Sequence, residues 1–239
     1  LRRVKSHGFT VSAMAFQDAY TLDLERLTRC SLSVFRDGKL IPFCASYLTA
    51  AKTPERKSRH PGGLNLTERA VRLAQLKPGM RVLDVGCGDG LAVELLRKSG
   101  IDARGADLAA ENSAYITRAD AAALPFADGE FDAILFECSL SEMDDAIAAL
   151  HEAERVVKPR GLLIMSDIFA KKQGPGLPWI TDDIRKILKW AGFGITIAED
   201  HTPALVTYAA EAIANNEPFC NGIDARQLGY CLVIAEKYK

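Results

Sequence analysis

The stretch Val82-Leu83-Asp84-Val85-Gly86-Cys87-Gly88-Asp89-Gly90 decides the fold of this 239-residue chain. An apolar run leads directly into Gly86-x-Gly88-x-Gly90, the pattern of a strand that ends on a sharp turn. There the backbone can approach a ligand too closely for any Cβ. Asp84, two residues before Gly86, adds an acceptor at the end of the strand. A dinucleotide-binding turn spaces its glycines Gly-x-Gly-x-x-Gly and aims a helix N-terminus at a pyrophosphate. In this chain the third glycine comes one residue early, which points to a bound nucleoside.

Working outward, short apolar runs at 81–85, 102–106, 133–137, 162–167, 194–199 and 229–236 predict strands. Amphipathic stretches at 66–76, 90–99, 143–157 and 181–191 predict helices, the last two with terminators at Pro159 and Gly192. The alternation is βαβ, hence a mainly parallel sheet. Leu108 to Tyr115 is too short for a crossover helix between the second and third strands, which leaves one side of the ligand pocket thinly covered.

From about residue 62 onward the chain resembles the class I S-adenosylmethionine-dependent methyltransferases, in particular their type 11 group. The lead-in Leu66 to Ala74, the turn Lys77-Pro78-Gly79 and the Asp84-to-Gly90 motif occur in the family's order. So do Gly105-Ala106-Asp107-Leu108, Arg118-Ala119-Asp120-Ala121, Glu130 to Phe136 and Val156 to Ile164. The resemblance implies an α/β, Rossmann-like, doubly wound and mainly parallel seven-stranded sheet with an N-terminal extension, and S-adenosyl-L-methionine as cofactor. It implies that Asp84 and the turn Gly86, Cys87, Gly88 and Gly90 hold the methionine part. Asp107 with Leu108 would then hold the ribose, Asp120 with Ala121 the adenine, and Glu137 the end of the fourth strand beside them. Each acid has a plainer role open to it, because an aspartate at a strand end often only caps a turn.

Composition agrees with a globular enzyme. With 48% hydrophobic residues, 239 positions suffice to bury one α/β core. No apolar run approaches the roughly 20 residues of a membrane helix, and Leu1-Arg2-Arg3-Val4-Lys5 lacks the apolar segment of a secretion signal, so a cytoplasmic location is expected. The totals of 30 Lys plus Arg and 31 Asp plus Glu nearly cancel, yet residues 1–60 hold 11 basic and 5 acidic side chains. Such an arm reads as a solvated face or as a contact for an acidic partner. Few aromatics are interleaved with the basic residues, so nucleic acid is not expected.

The six cysteines, Cys30, Cys44, Cys87, Cys138, Cys220 and Cys231, lack the close pairs of a zinc site, and no metal is expected. Cys138 lies in Glu137-Cys138-Ser139-Leu140-Ser141-Glu142, after the fourth strand at the carboxyl edge where ligands bind. A thiolate there can act on an acceptor or bind a soft metal or metalloid; a half-buried small residue is the plainer reading. His201, beside Asp200, is a second candidate catalytic group and equally a surface or capping residue. The helical stretch Ala204 to Asn215 with Glu217 to Gly222 reads as a lid over the acceptor.

The domain reading is an extension or cap over 1–60 and the methyltransferase domain over 61–239, with Thr53 to Gly63 as the linker. Residues 16–44 weakly resemble the C-terminal tail of certain radical S-adenosylmethionine enzymes, without their cluster-binding cysteine motif. The same residues fit an amphipathic helix and a hairpin near Asp37-Gly38, a contact for a partner protein or a second copy. A small-molecule acceptor is expected, partly because no asparagine-proline-proline-tyrosine-like motif follows the fourth strand. Two other classes stay open: a non-catalytic cofactor-binding scaffold, and a nucleotide-dependent oxidoreductase, which the glycine spacing disfavours.

Overall fold

The structure is a computed structural model that describes residues 32–36, 39–43, 58–172, 184–215 and 227–238. Its elements begin with a hairpin, β1 (Ser33–Arg36) and β2 (Lys39–Pro42). Then come α1 (Gly63–Leu73), β3 (Arg81–Val85), α2 (Leu91–Lys98), β4 (Asp102–Asp107), β5 (Ile116–Arg118) and β6 (Phe131–Glu137). A short 3₁₀ turn at Leu140–Glu142 leads to α3 (Ala146–Val156), β7 (Val157–Ala170), α4 (Ile184–Trp190), β8 (Phe193–Asp200), α5 (Thr202–Asn215) and β9 (Leu228–Lys237).

Strands β3 to β9 form one sheet in the order β5-β4-β3-β6-β7-β9-β8. Every pair from β5 to β7 is parallel, whereas β9 runs antiparallel to both β7 and β8. Because β4 and β5 build out on one side of β3 and β6 on the other, the sheet reverses direction at β3. A crevice therefore opens at the carboxyl ends of β3 and β6, where ligands bind in such sheets.

Strand alternation feeds two apolar layers. On β6, Ile134 and Phe136 join Ala149, Leu150 and Ala153 of α3 and Leu188 of α4. Ala133 and Leu135 face the opposite layer with Leu66 and Ala70 of α1, Val93 and Leu96 of α2 and Leu205 of α5. Near-continuous apolar strands such as Phe131-Asp132-Ala133-Ile134-Leu135-Phe136 follow from this, since helices cover both faces.

The strand and helix expectations agree with the structure at all the long runs, and the seven-stranded, mainly parallel sheet is present. Within the seven-stranded sheet, β5 is the strand that the apolar runs do not predict. It has three residues, none of them buried, and exists by pairing Ile116 with Gly105 of β4. Residues 108–115 contain no helix, as their length requires. β7 is longer than the run at 162–167, and its pairing with β6 is irregular between Phe131 and Ala133. Arg160 adopts φ 61 there, and a Cβ on Gly161 would stand 2.9 Å from the Asp132 carbonyl oxygen.

β1 and β2 pair antiparallel, Phe35 opposite Leu40, and Ile41 is buried. The helix expected over 16–32, the segment 217–222, and Cys30, Cys44 and Cys220 lie outside the described residues. So does most of the stretch that resembles the radical enzymes. Among the described residues no helix is long and apolar enough to cross a membrane.

Leu150 is fully buried between α3 and β6. Leu150→Ala leaves a cavity there and should cost about 2–5 kcal/mol in urea denaturation.

Candidate functional site

The crevice beyond β3 and β6 is a cleft of about 150 Å³. Its wall includes Asp84, Gly86, Cys87, Gly88, Glu137 and Cys138, six of the positions singled out in the sequence. Gly86 turns the chain at φ 77, and a Cβ there would lie 2.4 Å from the Ser139 Cβ. Its N–H donates to the Ala106 carbonyl at 2.7 Å, pinning the turn to β4. Gly88, at φ 54, differs: a Cβ built there meets nothing within 4 Å, so the backbone faces open space on the cleft. Gly90 starts α2 as its N-cap.

Three carboxylates surround this turn. Asp84 is 2% exposed, and burial, followed by the charges of Glu137 and Asp107, pushes its pKa well above the usual range. Asp107 Oδ2 accepts from the Gly88 N–H at 2.9 Å, and its Oδ1 accepts from Ala109 and Ala110 at 2.8 and 3.1 Å. It therefore holds the glycine turn and the start of the 108–115 connection at once. Glu137 Oε2 accepts from Thr67 Oγ1 at 3.1 Å, which couples α1 to the end of β6.

Leu108, just beyond β4, is 65% exposed, and its carbonyl accepts from Arg118 Nε at 3.1 Å. Ala119 N–H donates to the Asp107 carbonyl at 3.1 Å, which brings Asp120 and Ala121 beside the end of β4. Asp120 Oδ1 accepts from Ala122 N–H at 2.9 Å, a turn cap of the plainer kind. Neither Asp120 nor Ala121 lines the cleft itself.

Cys138 is half-buried on the cleft wall with φ 53, rare for a residue with a side chain. Its N–H donates to the Ser166 carbonyl at 2.7 Å, and Ser139 Oγ donates to the Val85 carbonyl at 2.7 Å. Burial raises the Cys87 thiol, with Asp84 and Asp107 adding to the effect, and burial pushes Cys231 up to about 12. Both are poor thiolates. His201 is not among the residues that line the cleft. Its Nε2 lies 2.9 Å from Glu199, which Arg69 also clamps through two hydrogen bonds of 2.7 and 2.6 Å. Its carbonyl accepts from Ala204 at the start of α5, so its surroundings are those of a capping residue.

The sequence reading missed part of the wall. Ser58, Arg59, His60 and Leu64 line the cleft, and His60 is only 8% exposed. The linker expected over Thr53 to Gly63 thus ends in a packed segment rather than a loose one. The signal was a histidine directly before Pro61-Gly62-Gly63, a turn that the hydrogen bond from Gly63 N–H to the His60 carbonyl closes at 3.1 Å.

A second buried acid braces the site. Asp167, near the end of β7, accepts from Ser141 N–H at 3.0 Å, Ser141 Oγ at 2.5 Å and Ile168 N–H at 2.7 Å. It holds the 3₁₀ turn after Cys138 against the sheet.

This sheet order, with an open glycine turn and acids at the ends of β3 and β4, defines the class I S-adenosylmethionine-dependent methyltransferase fold. Residues 83–165 match the family of the methyltransferase domain. It is 30% identical over 153 residues to the demethylmenaquinone methyltransferase of Corynebacterium urealyticum, covering 61% of this chain and 65% of that protein. It is 29% identical over 140 residues to the 27-O-demethylrifamycin SV methyltransferase of Amycolatopsis mediterranei, covering 52% of each. The chain thus matches less than two thirds of the length of these relatives.

Haemonchus contortus phosphoethanolamine N-methyltransferase 2, solved with S-adenosylhomocysteine, shares the fold at a TM-score of 0.62 and 17% identity, covering 82% of this chain and 57% of that one. The resemblance of residues 16–44 to radical enzymes finds no support in these comparisons.

Gly86→Ala should lower the melting temperature more than Gly88→Ala. Both strain a left-handed backbone by roughly 1–2 kcal/mol, and only the first also collides with Ser139. Burial pushes Asp167 up to about 6, against the hydrogen bonds from Ser141 and Ile168. The raised value means that its stabilising share is complete below the unfolded pKa, near 4, and is lost as pH rises through 6. Asp167→Asn should flatten that part of the stability-versus-pH curve, by roughly 2–3 kcal/mol in chemical denaturation.

Proposed function

We propose that this chain is an S-adenosylmethionine-dependent methyltransferase for a small-molecule acceptor. The observation that carries the reading is the charge of the cleft. Asp84 and Glu137, with Asp107 behind Gly88, make a wall that suits a ligand bearing a sulfonium and an ammonium. A buried carboxylate with acidic neighbours is costly until a cation or a proton arrives. The same wall repels the pyrophosphate of a dinucleotide, which argues against the oxidoreductase reading together with the glycine spacing.

The residues present fit the cofactor. Gly88 leaves a side open with no Cβ to obstruct approach, and the bend at Gly86 brings that backbone to the crevice. On this reading Asp84, Gly86, Cys87, Gly88 and Gly90 border the methionine part, and Asp107 receives the ribose hydroxyls. Exposed Leu108 offers an apolar face to the adenine, with Asp120 and Ala121 opposite, and Glu137 closes the amino-acid end. When bound, the cofactor supplies a methyl group on an electrophilic sulfur. The chain's own work is then to hold, orient and exclude water, and a base is required only for an acceptor that must lose a proton.

His201 stands outside the cleft, so no base is assigned to it. Cys138, on the wall beside Glu137, is the one of the two candidate groups that lines the cleft. The relatives are named for demethylmenaquinone and a demethylrifamycin, which supports a small-molecule acceptor for this chain. We extend the proposal to residues 1–60 as a contact for a partner or a second copy. The hairpin that belongs to them exposes Phe35 and Leu40 at 72% and 74%.

Calorimetric titration with S-adenosylhomocysteine, and with NAD in parallel, tests the reading. Saturable binding of the former alone is expected. Asp107→Ala should weaken it by roughly 1–3 kcal/mol, because a ribose hydroxyl and the Gly88 N–H both lose their acceptor. Binding of NAD, or an affinity unmoved by Asp107→Ala, would sink the assignment. Tight binding with no turnover of any acceptor would favour the scaffold class instead.

A further inference from the structure

The acidic wall accounts for the cationic groups of the cofactor and leaves its α-carboxylate without a partner. The cationic side chains that line the cleft are Arg59 and His60, both on the segment that leads into α1. His60 is 8% exposed, and its Nε2 is the only buried side-chain nitrogen or oxygen among the described residues that lacks a hydrogen-bond partner. It lies 3.4 Å from Glu137 Oε2, within ion-pair reach but outside hydrogen-bond geometry. The other ring nitrogen, Nδ1, is 3.2 Å from the Pro61 carbonyl, which fixes it as a donor.

A neutral ring would then turn its lone pair toward the Glu137 carboxylate, whereas an imidazolium presents an N–H there. The charged groups around it are Glu137 from β6, Asp84 from β3, Asp89 from the glycine turn and Arg59 from its own segment, all on the same cleft. Thr67 of α1 donates to the same Glu137 oxygen. Burial alone would lower the imidazole pKa, but Glu137 and the Pro61 carbonyl outweigh it and hold the value above the ordinary one.

We propose that Arg59 and His60 form the carboxylate subsite of the cofactor pocket, with His60 as the residue that selects a ligand bearing an intact amino-acid end. The inference rests on the cofactor reading above. It deepens that reading by orienting the ligand, its carboxylate toward 59–60 and its ammonium between Asp84 and Glu137. The Tyr208 hydroxyl, which donates to the Arg59 carbonyl at 2.9 Å, anchors the segment to α5 and keeps the corner in place.

The test compares S-adenosylhomocysteine with S-adenosyl-3-thiopropylamine, which keeps the amine and lacks only the carboxylate, by calorimetry on wild type and His60→Gln. Wild type should prefer S-adenosylhomocysteine by about tenfold or more, the scale of one charge-assisted pair. In His60→Gln that preference should shrink to the remainder that Arg59 supplies, with affinity for the thiopropylamine within about twofold of wild type. A preference undiminished by the substitution, or an equal loss for both ligands, overturns the proposal and leaves His60 as a clamp on Glu137.

In the wild type alone, the preference should fall as pH rises through the imidazole titration and keep a remainder from Arg59. A preference constant across that range overturns the proposal even if the variant does not fold. If wild type binds neither compound, the cofactor reading itself has failed.

Discussion

A carboxylate buried near the end of β3 governs the rest of this structure. Asp84 closes β3, the strand at which the sheet reverses, and its strongest electrostatic neighbours are also acids, Glu137 and Asp107. Parallel pairing on both sides fixes where those acids fall, because β4 and β6 run alongside β3 and end at the same edge. The glycine turn then has little latitude. Gly86 must bend against Ser139, Ser139 in turn binds the Val85 carbonyl, and Cys138 is held in a left-handed conformation between them and Ser166. Asp167 secures the next turn through Ser141. Local strain and negative charge thus collect at one edge, where a cationic ligand would relieve the charge.

The lead-in to α1 completes this edge. Thr67 and His60 both reach Glu137, and Tyr208 of α5 grips the Arg59 carbonyl. Residues well before the matched family segment at 83–165 therefore share in the cleft wall. The opposite rim is sparse. With no helix in 108–115, the connection is held by Asp107 and by Arg118, and it leaves Leu108 and Tyr115 exposed. A cleft braced on the side of α1 and β6 and open beyond β4 follows from these two unequal connections.

Much of this was legible in the chain. The apolar strands could be read because helices cover both sheet faces, so that Phe131 to Phe136 carries almost no polar interruption. Asp84, the glycine turn and Asp107 could be read because each stands at a fixed distance from a strand end. β5 could not, since Ile116 to Arg118 owes its form to pairing with β4 rather than to its own pattern. Nor could His60. Its neighbours Pro61, Gly62 and Gly63 carry the composition of a linker, and its burial depends on Glu137, 77 positions later. His201 shows the converse: Asp200-His201 at a strand end looks chemical in sequence, and in space Glu199 and α5 use the histidine.

A crystal structure of the chain with S-adenosylhomocysteine tests the central claim most directly. The account predicts the homocysteine part along Gly86 and Gly88, its ammonium between Asp84 and Glu137, its carboxylate at Arg59 and His60, and the ribose on Asp107. A ligand bound with its amino-acid end away from the acidic wall, or held at another edge of the sheet, would contradict it.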